Sequence, residues 1–89
     1  MENSWLERTE LLIGNESVQK LNNSNVLIVG LGGVGSFAAE FIARAGVGKL
    51  TIIDGDSVDP TNKNRQLVAL NSTVGVKKAE VMRKRIIDI

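Results

Sequence analysis

Four features of this 89-residue chain could take part in chemistry. The first is Gly30-Leu31-Gly32-Gly33-Val34-Gly35, a G-x-G-x-x-G pattern. In such a turn the first glycine permits a tight bend. The second lets the backbone approach a phosphate, and the third lets the next helix pack close to the preceding strand. Free N–H groups at the helix start then face the anion, helped by the helix dipole. The second feature is Asp54, which lies 19 residues after Gly35. An acidic side chain at that distance can accept hydrogen bonds from both ribose hydroxyls. The third is Thr61-Asn62-Lys63-Asn64-Arg65-Gln66. Arg65 offers a planar fork for phosphate oxygens, and Asn62 and Asn64 can donate amide hydrogens without adding charge. The fourth is the pair Lys77-Lys78, expected in the first turn of the last helix. Cations there oppose the helix dipole at about 0.3–1 kcal/mol each, unless a bound polyphosphate reverses the sign.

Each feature also has a plainer reading. Glycine-rich turns serve as simple connectors, Asp54 could be a solvated loop residue, and surface cations often sit badly for no reason. Lys63 reads as a solvated loop residue. Asp56 and Asp59 read as loop and turn residues, with Asp59-Pro60 initiating a turn.

Composition narrows the chemistry. The chain has no cysteine, histidine or tyrosine. That removes thiol nucleophiles, imidazole bases, disulfides and Cys/His zinc sites. The remaining polar set suits charge stabilisation around phosphates better than proton shuttling at neutral pH. A net charge of +1 demands neither nucleic acid nor a membrane surface as partner. With 43% hydrophobic and 24% charged residues the chain is too apolar to be disordered. No apolar run approaches the ~20 residues of a membrane span, and no signal-peptide pattern opens the chain, so a cytoplasmic location is expected.

The elements that must position these residues can be read from apolar spacing. Residues 1–24 read as an N-terminal segment of two short helices, with a Ser4/Glu7 capping box, a stop at Gly14 and Asn15 as the second cap. Val18 and Leu21 share one face. Val26-Leu27-Ile28-Val29 is a continuous β-branched run, as in a strand buried on both faces of a parallel sheet. From Gly33 to Ala45 a helix is expected to bury Val34, Phe37, Ala38, Phe41, Ile42 and Ala45. Lys49 to Asp54 forms a second strand, a polar loop follows to about Asn64, and a last helix from Val76 buries Ala79, Met82, Ile86 and Ile89. Strand, helix, strand makes a βαβ unit with parallel strands. The fold class is therefore α/β and Rossmann-like, with short helices in front. Two strands are too few for a stable open sheet. Residues 25–89 are accordingly expected to be the N-terminal part of a larger doubly wound parallel sheet.

The glycine turn and Asp54 specify an adenine nucleotide, not a reaction, and an NAD-dependent dehydrogenase would pass the same test. A further possibility is a non-catalytic piece that self-associates through unfilled sheet edges. The string from Val26 to Lys78 resembles the ubiquitin-activating-like adenylating enzymes. Its motifs are the Gly30–Gly35 turn, Asp54-Gly55-Asp56-Ser57-Val58, Asn62-Lys63-Asn64-Arg65-Gln66 and Val74-Gly75-Val76-Lys77-Lys78. Within that superfamily the nearest resemblance is to the tRNA threonylcarbamoyladenosine dehydratases. It is carried by Arg8-Thr9-Glu10-Leu11-Leu12-Ile13-Gly14, Asn64 to Leu70 and Ser72-Thr73-Val74-Gly75. The sequence departs from that family's usual pattern at Val68 and Lys77.

The resemblance implies ATP and Mg²⁺ as cofactors and a carboxylate substrate activated as an acyl-adenylate. In the dehydratase branch that carboxylate is a threonylcarbamoyl group on tRNA. It implies that Gly30, Gly32, Gly33 and Gly35 hold phosphates and Asp54 the ribose. Asn62, Arg65 and Lys78 would contact the phosphates, Arg65 and Lys78 as catalytic groups. Arg8 would reach the ATP of a partner subunit in a homodimer, and the magnesium ligand would lie beyond residue 89. No metal ligand is expected in the chain itself.

Overall fold

β-branched and aliphatic side chains dominate both expected strand segments, and both form strands in the computed structural model, which describes residues 4–89. The first three residues of the 1–24 segment lie outside the described residues. Strand β1 (Asn25–Val29) pairs in parallel with β2 (Lys49–Ile53), Asn25 opposite Lys49 and Val29 opposite Ile53. Helix α1 (Glu7–Ile13) and helix α2 (Asn15–Asn22) precede the sheet. Helix α3 (Gly35–Arg44) connects the strands, and helix α4 (Lys78–Ile87) follows a long loop that carries a 3-10 turn at Pro60–Asn64.

The core lies on one face of the sheet. Ile28, Leu50 and Ile52 pack against a buried cluster of Leu31, Ala39, Val58, Val68, Ala69 and Met82. On the opposite face Leu27, Val29 and Ile53 are more than half exposed. The expectation of strands covered on both faces is therefore not met, because α3 and α4, which pack on each other, both cover the Ile28–Ile52 side.

Helix α3 corrects a second expectation. Its buried residues are Ser36, Ala39, Glu40 and Ala43. Val34, Phe37 and Phe41 are exposed, with the two phenylalanine rings stacked at a 6.3 Å centroid distance. The reason is the short distance between helix and strand. Small side chains, Ser36, Ala39 and Ala43, take the face toward the strands, with Glu40 buried where it meets Arg85 of α4, so the strongest apolar period in the sequence marks the outer face.

Helix α4 follows the expected stripe more closely. Met82 is fully buried, and Ala79 and Ile86 pack partly buried on the core. It begins at Lys78 rather than Val76, since Lys77 has extended backbone and lies opposite Ser57 in an antiparallel bridge.

At the front, Gly14 ends α1 as expected, its N–H donating to the Glu10 carbonyl at 2.8 Å. The capping box is not formed. Ser4 lies in a 3-10 turn, Ser4–Leu6, and Leu6 stands at the cap position of α1 with no side-chain capping bond. Asn15 is the first helical residue of α2, with Gly14 at its cap position. Val18 is buried and Leu21 partly so. Leu6 is buried and meets Gly46 just ahead of β2, which fixes the N-terminal segment at the start of the strands.

Helices α3 and α4 are also joined by charge. Arg85 donates from Nε to Glu40 Oε1 and from Nη2 to Oε2 at 3.1 Å, while Arg44 lies 3.6 Å from the same carboxylate. The Arg85 hydrogen bond holds the Glu40 pKa below its ordinary 4.5, against the opposing pull of burial. A depressed carboxylate stabilises the fold above its unfolded pKa and loses that contribution as pH falls. Stability should therefore decline below about pH 4.5 in the native protein, and Glu40→Gln should flatten that limb in thermal melts taken across pH. Arg85 is half exposed, so the loss in Glu40→Gln at pH 7 is expected to be only about 1–2 kcal/mol.

Candidate functional site

The chain leaves β1 through a turn whose glycines do different work. Gly30 has φ +94°, a backbone state that side-chain-bearing residues rarely adopt. A Cβ on Gly35 would lie 1.8 Å from the Gly30 carbonyl oxygen, so the start of α3 sits directly against the strand end. Gly32 and Gly33 differ. A Cβ on Gly32 would come no nearer than 3.8 Å to Gln66 Nε2, and one on Gly33 would lie 3.5 Å from Arg65 Cγ. Packing within the chain tolerates a side chain at both, so the fold itself does not require glycine there.

Asp54 stands at the end of β2 and grips this turn. The Leu31 N–H donates to its Oδ2 at 2.7 Å and the Asp56 N–H to its Oδ1 at 2.7 Å. Partial burial pulls its pKa up. The two N–H donors and the Lys78 charge outweigh that and hold the carboxyl below its usual range. Each carboxylate oxygen keeps a free lone pair, so Asp54 can still accept from another donor.

The segment after Asp59 is folded rather than loose. Thr61 N–H donates to Asp59 Oδ1 and the Asp59 N–H donates to Asn62 Oδ1, both at 2.8 Å, forming a capping box over Pro60–Asn64. This agrees with the expected turn at Asp59-Pro60. The Asn62 side-chain oxygen is thereby occupied, while its NH₂ remains able to donate. Arg65 Nη1 donates to Asn64 Oδ1 at 2.9 Å, and the Arg65 stem lies beside Gly33. The next residue, Gln66, has its amide nitrogen beside Gly32. The Leu67 N–H donates to Ser36 Oγ at 3.3 Å, and Ser36 in turn donates to the Gly32 carbonyl at 2.5 Å. Three consecutive residues thus lie along the glycine turn.

Ser36 and Gln66 were not singled out from the sequence. A hydroxyl placed one residue into a helix can bond back to the carbonyl four residues earlier, and that was the available signal for Ser36.

Lys78 is the first residue of α4 and is buried, with only 6% of its surface exposed. Its N–H donates to the Asp56 carbonyl at 3.0 Å. Among the described residues it has no ion-pair partner; the Thr61 hydrogen bonds hold the Asp59 pKa low, and the Lys78 charge adds to that and to the lowering of Asp54. Lys78 thus begins α4 at the end of the strands that carries the glycine turn, two residues from Asp54 through its bond to Asp56.

Arg8 is not brought to this group of residues. It is exposed on α1, whose packing partners are Ser4–Leu6 and α2, and Leu6 anchors that segment at the opposite end of the strands. The helix-start N–H groups, the Arg65 guanidinium and the Lys78 ammonium are all chemically suited to an anionic ligand. No histidine or thiol stands by to move a proton near neutral pH.

The ThiF family matches residues 6–89 of this sequence. The chain belongs to the ThiF family. Among the relatives of this ThiF-family chain is the tRNA threonylcarbamoyladenosine dehydratase of Bacillus subtilis (strain 168). It is 57% identical over 82 residues, which cover 92% of this chain and 32% of the relative. The crystal structure of the Escherichia coli tRNA N6-threonylcarbamoyladenosine dehydratase, TcdA, superposes with a TM-score of 0.92 at 46% identity, covering 94% of this chain and 35% of that one. The same E. coli protein in complex with ATP matches at a TM-score of 0.88 and 49% identity, over 90% of this chain and 33% of that one. The chain thus spans about a third of the length of the relatives it matches. The expected α/β, Rossmann-like fold class is that of these ThiF-family neighbours. No helix among the described residues is long and apolar enough to cross a membrane.

Proposed function

We propose that this chain forms the ATP-binding part of an enzyme that activates a carboxylate as its adenylate. A substrate carboxylate oxygen bonds to the α-phosphorus, the bond from that phosphorus to the bridging oxygen breaks, and pyrophosphate leaves. The observation that carries this reading is a second cationic residue at this end of the strands: Lys78 is buried as a residue, makes no ion pair among the described residues and donates its backbone N–H to the Asp56 carbonyl two residues from Asp54, while the Arg65 stem lies beside Gly33. A redox dinucleotide already has its phosphates on the turn and leaves that second cation without a task. A triphosphate requires it.

On this reading the backbone from Gly30 to Gly35 receives phosphate oxygens, and the open ground over Gly32 and Gly33 is where they approach. Asp54 accepts from the ribose with its spare lone pairs, and Asn62 donates through its free NH₂. Arg65 and Lys78 stabilise charge that builds on the α-phosphate and the leaving pyrophosphate. Arg8 acts, if on ATP, across a homodimer, which its distance from its own chain's turn favours. Residues 1–24 then form an anchoring segment, and 25–89 the first part of the nucleotide domain. The substrate we infer is the threonylcarbamoyl carboxylate of modified tRNA, in keeping with the names of the relatives, and cytoplasmic in location.

The resemblance implies Mg²⁺ with its ligand outside residues 1–89, and among the described residues no three acidic side chains converge to hold a cation.

Calorimetric titration of the protein with ATP and with NAD tests the proposal. ATP should bind and NAD should not; the reverse order would refute it. Asp54→Ala should weaken ATP binding roughly 10- to 100-fold, the loss of a charge-assisted hydrogen bond together with the hold on Leu31. Unchanged affinity would remove Asp54 from the ribose.

A further inference from the structure

Gln66 is 8% exposed, and its Oε1 is a buried acceptor with no hydrogen-bond partner. An unsatisfied buried acceptor is destabilising, so a side chain kept in that state calls for an explanation. Packing does not supply one, since a hydrocarbon of the same length would fill the space without the deficit. Its place in the fold does. Gln66 follows Arg65, the Pro60–Asn64 turn sets its backbone through an N–H bond to the Asn62 carbonyl at 2.9 Å, and its Nε2 is the nearest side-chain atom to the open position on Gly32. Among the described residues the amide nitrogen makes no hydrogen bond, and its two N–H groups are therefore free to donate.

We propose that Gln66 is a further phosphate-positioning residue of this site, one that donates from its amide nitrogen to a nucleotide phosphate oxygen over Gly32. It rests on the nucleotide reading above and adds a neutral donor to the two cations. Chemically the three differ. Lys78 and Arg65 neutralise charge. A neutral amide adds direction without charge, and its burial fixes that direction before the nucleotide arrives. The inward carbonyl oxygen holds the amide in one orientation, since turning it over would bury two N–H donors in place of one acceptor.

The experiment is calorimetry of ATP and of adenosine binding to the native protein and to Gln66→Met and Gln66→Glu, with a thermal melt of each variant without nucleotide. Gln66→Met removes the orphan acceptor while keeping the volume, so its melting temperature should hold or rise. Its ATP affinity should fall about tenfold and its adenosine affinity should not change. Gln66→Glu should lose more, because a carboxylate replaces the donor beside the phosphates. Equal losses for ATP and adenosine, or ATP affinity unchanged in both variants, would overturn the inference. If Gln66→Met proves too unstable to assay, Gln66→Glu carries the same comparison. Failure of the native protein to bind ATP at all would instead overturn the nucleotide reading, and this inference with it.

Discussion

Gly35→Ala is expected to lower the stability of the fold by roughly 3 kcal/mol or more, enough to leave much of a small domain unfolded. The added Cβ would stand 1.8 Å from the Gly30 carbonyl oxygen and 2.8 Å from its carbon. Those are backbone atoms at the end of β1, and they cannot swing aside as a side chain can. Relief requires α3 to back away from the strand. That movement would unpack Ala39 and break the Ser36 link to Leu67. Gly32→Ala provides the contrast, because its Cβ would have ordinary contact distances. Its melting temperature should stay near the native value while ATP affinity falls, since the new methyl occupies the phosphate approach. Thermal melts and ATP titration of the two variants, run in parallel, check this. A Gly35→Ala protein as stable as the native one would contradict the close packing of α3 on β1.

Lys78→Met is expected to separate stability from activity. In the intact enzyme, loss of one preorganised charge donor should cost about 2.7–4 kcal/mol of barrier, a fall in kcat of about 10²–10³-fold. Without nucleotide the same change should leave stability unchanged. Lys78 is buried as a residue and makes no ion pair among the described residues, so an uncharged side chain of similar length keeps its packing and breaks no ion pair. Pyrophosphate release and a chemical unfolding curve together read both effects. A variant that loses stability yet keeps its turnover would mark Lys78 as a structural lysine.

Much of the site was legible in the sequence because its parts are local. The G-x-G-x-x-G string needs only its own neighbours to define a turn, and Asp54 follows at a distance set by one helix and one strand. Gly30 and Gly35 carry the strain and the close packing that the pattern requires, while Gly32 and Gly33 are free of both. The face of α3 was not legible. Val34, Phe37 and Phe41 carry the helical apolar period, yet the strand accepts only Ser36, Ala39 and Ala43 at the distance that Gly35 permits. Periodicity reports where apolar residues lie on a helix, not how near its neighbour comes.

The sequence by itself determined the order of elements and the turn, since each rests on short-range spacing that any chain with these residues must obey, and it carried the family as a resemblance of motifs. Tertiary structure alone decided which groups meet. Burial of Lys78 and its bond to Asp56, the placement of Arg65, Gln66 and Leu67 along the glycine turn, and the Glu40–Arg85 link between α3 and α4 all join residues far apart in the chain. Such pairings follow from how helices and loops dock in three dimensions, and dock they must at one distance and angle, because a close-packed interior leaves no latitude.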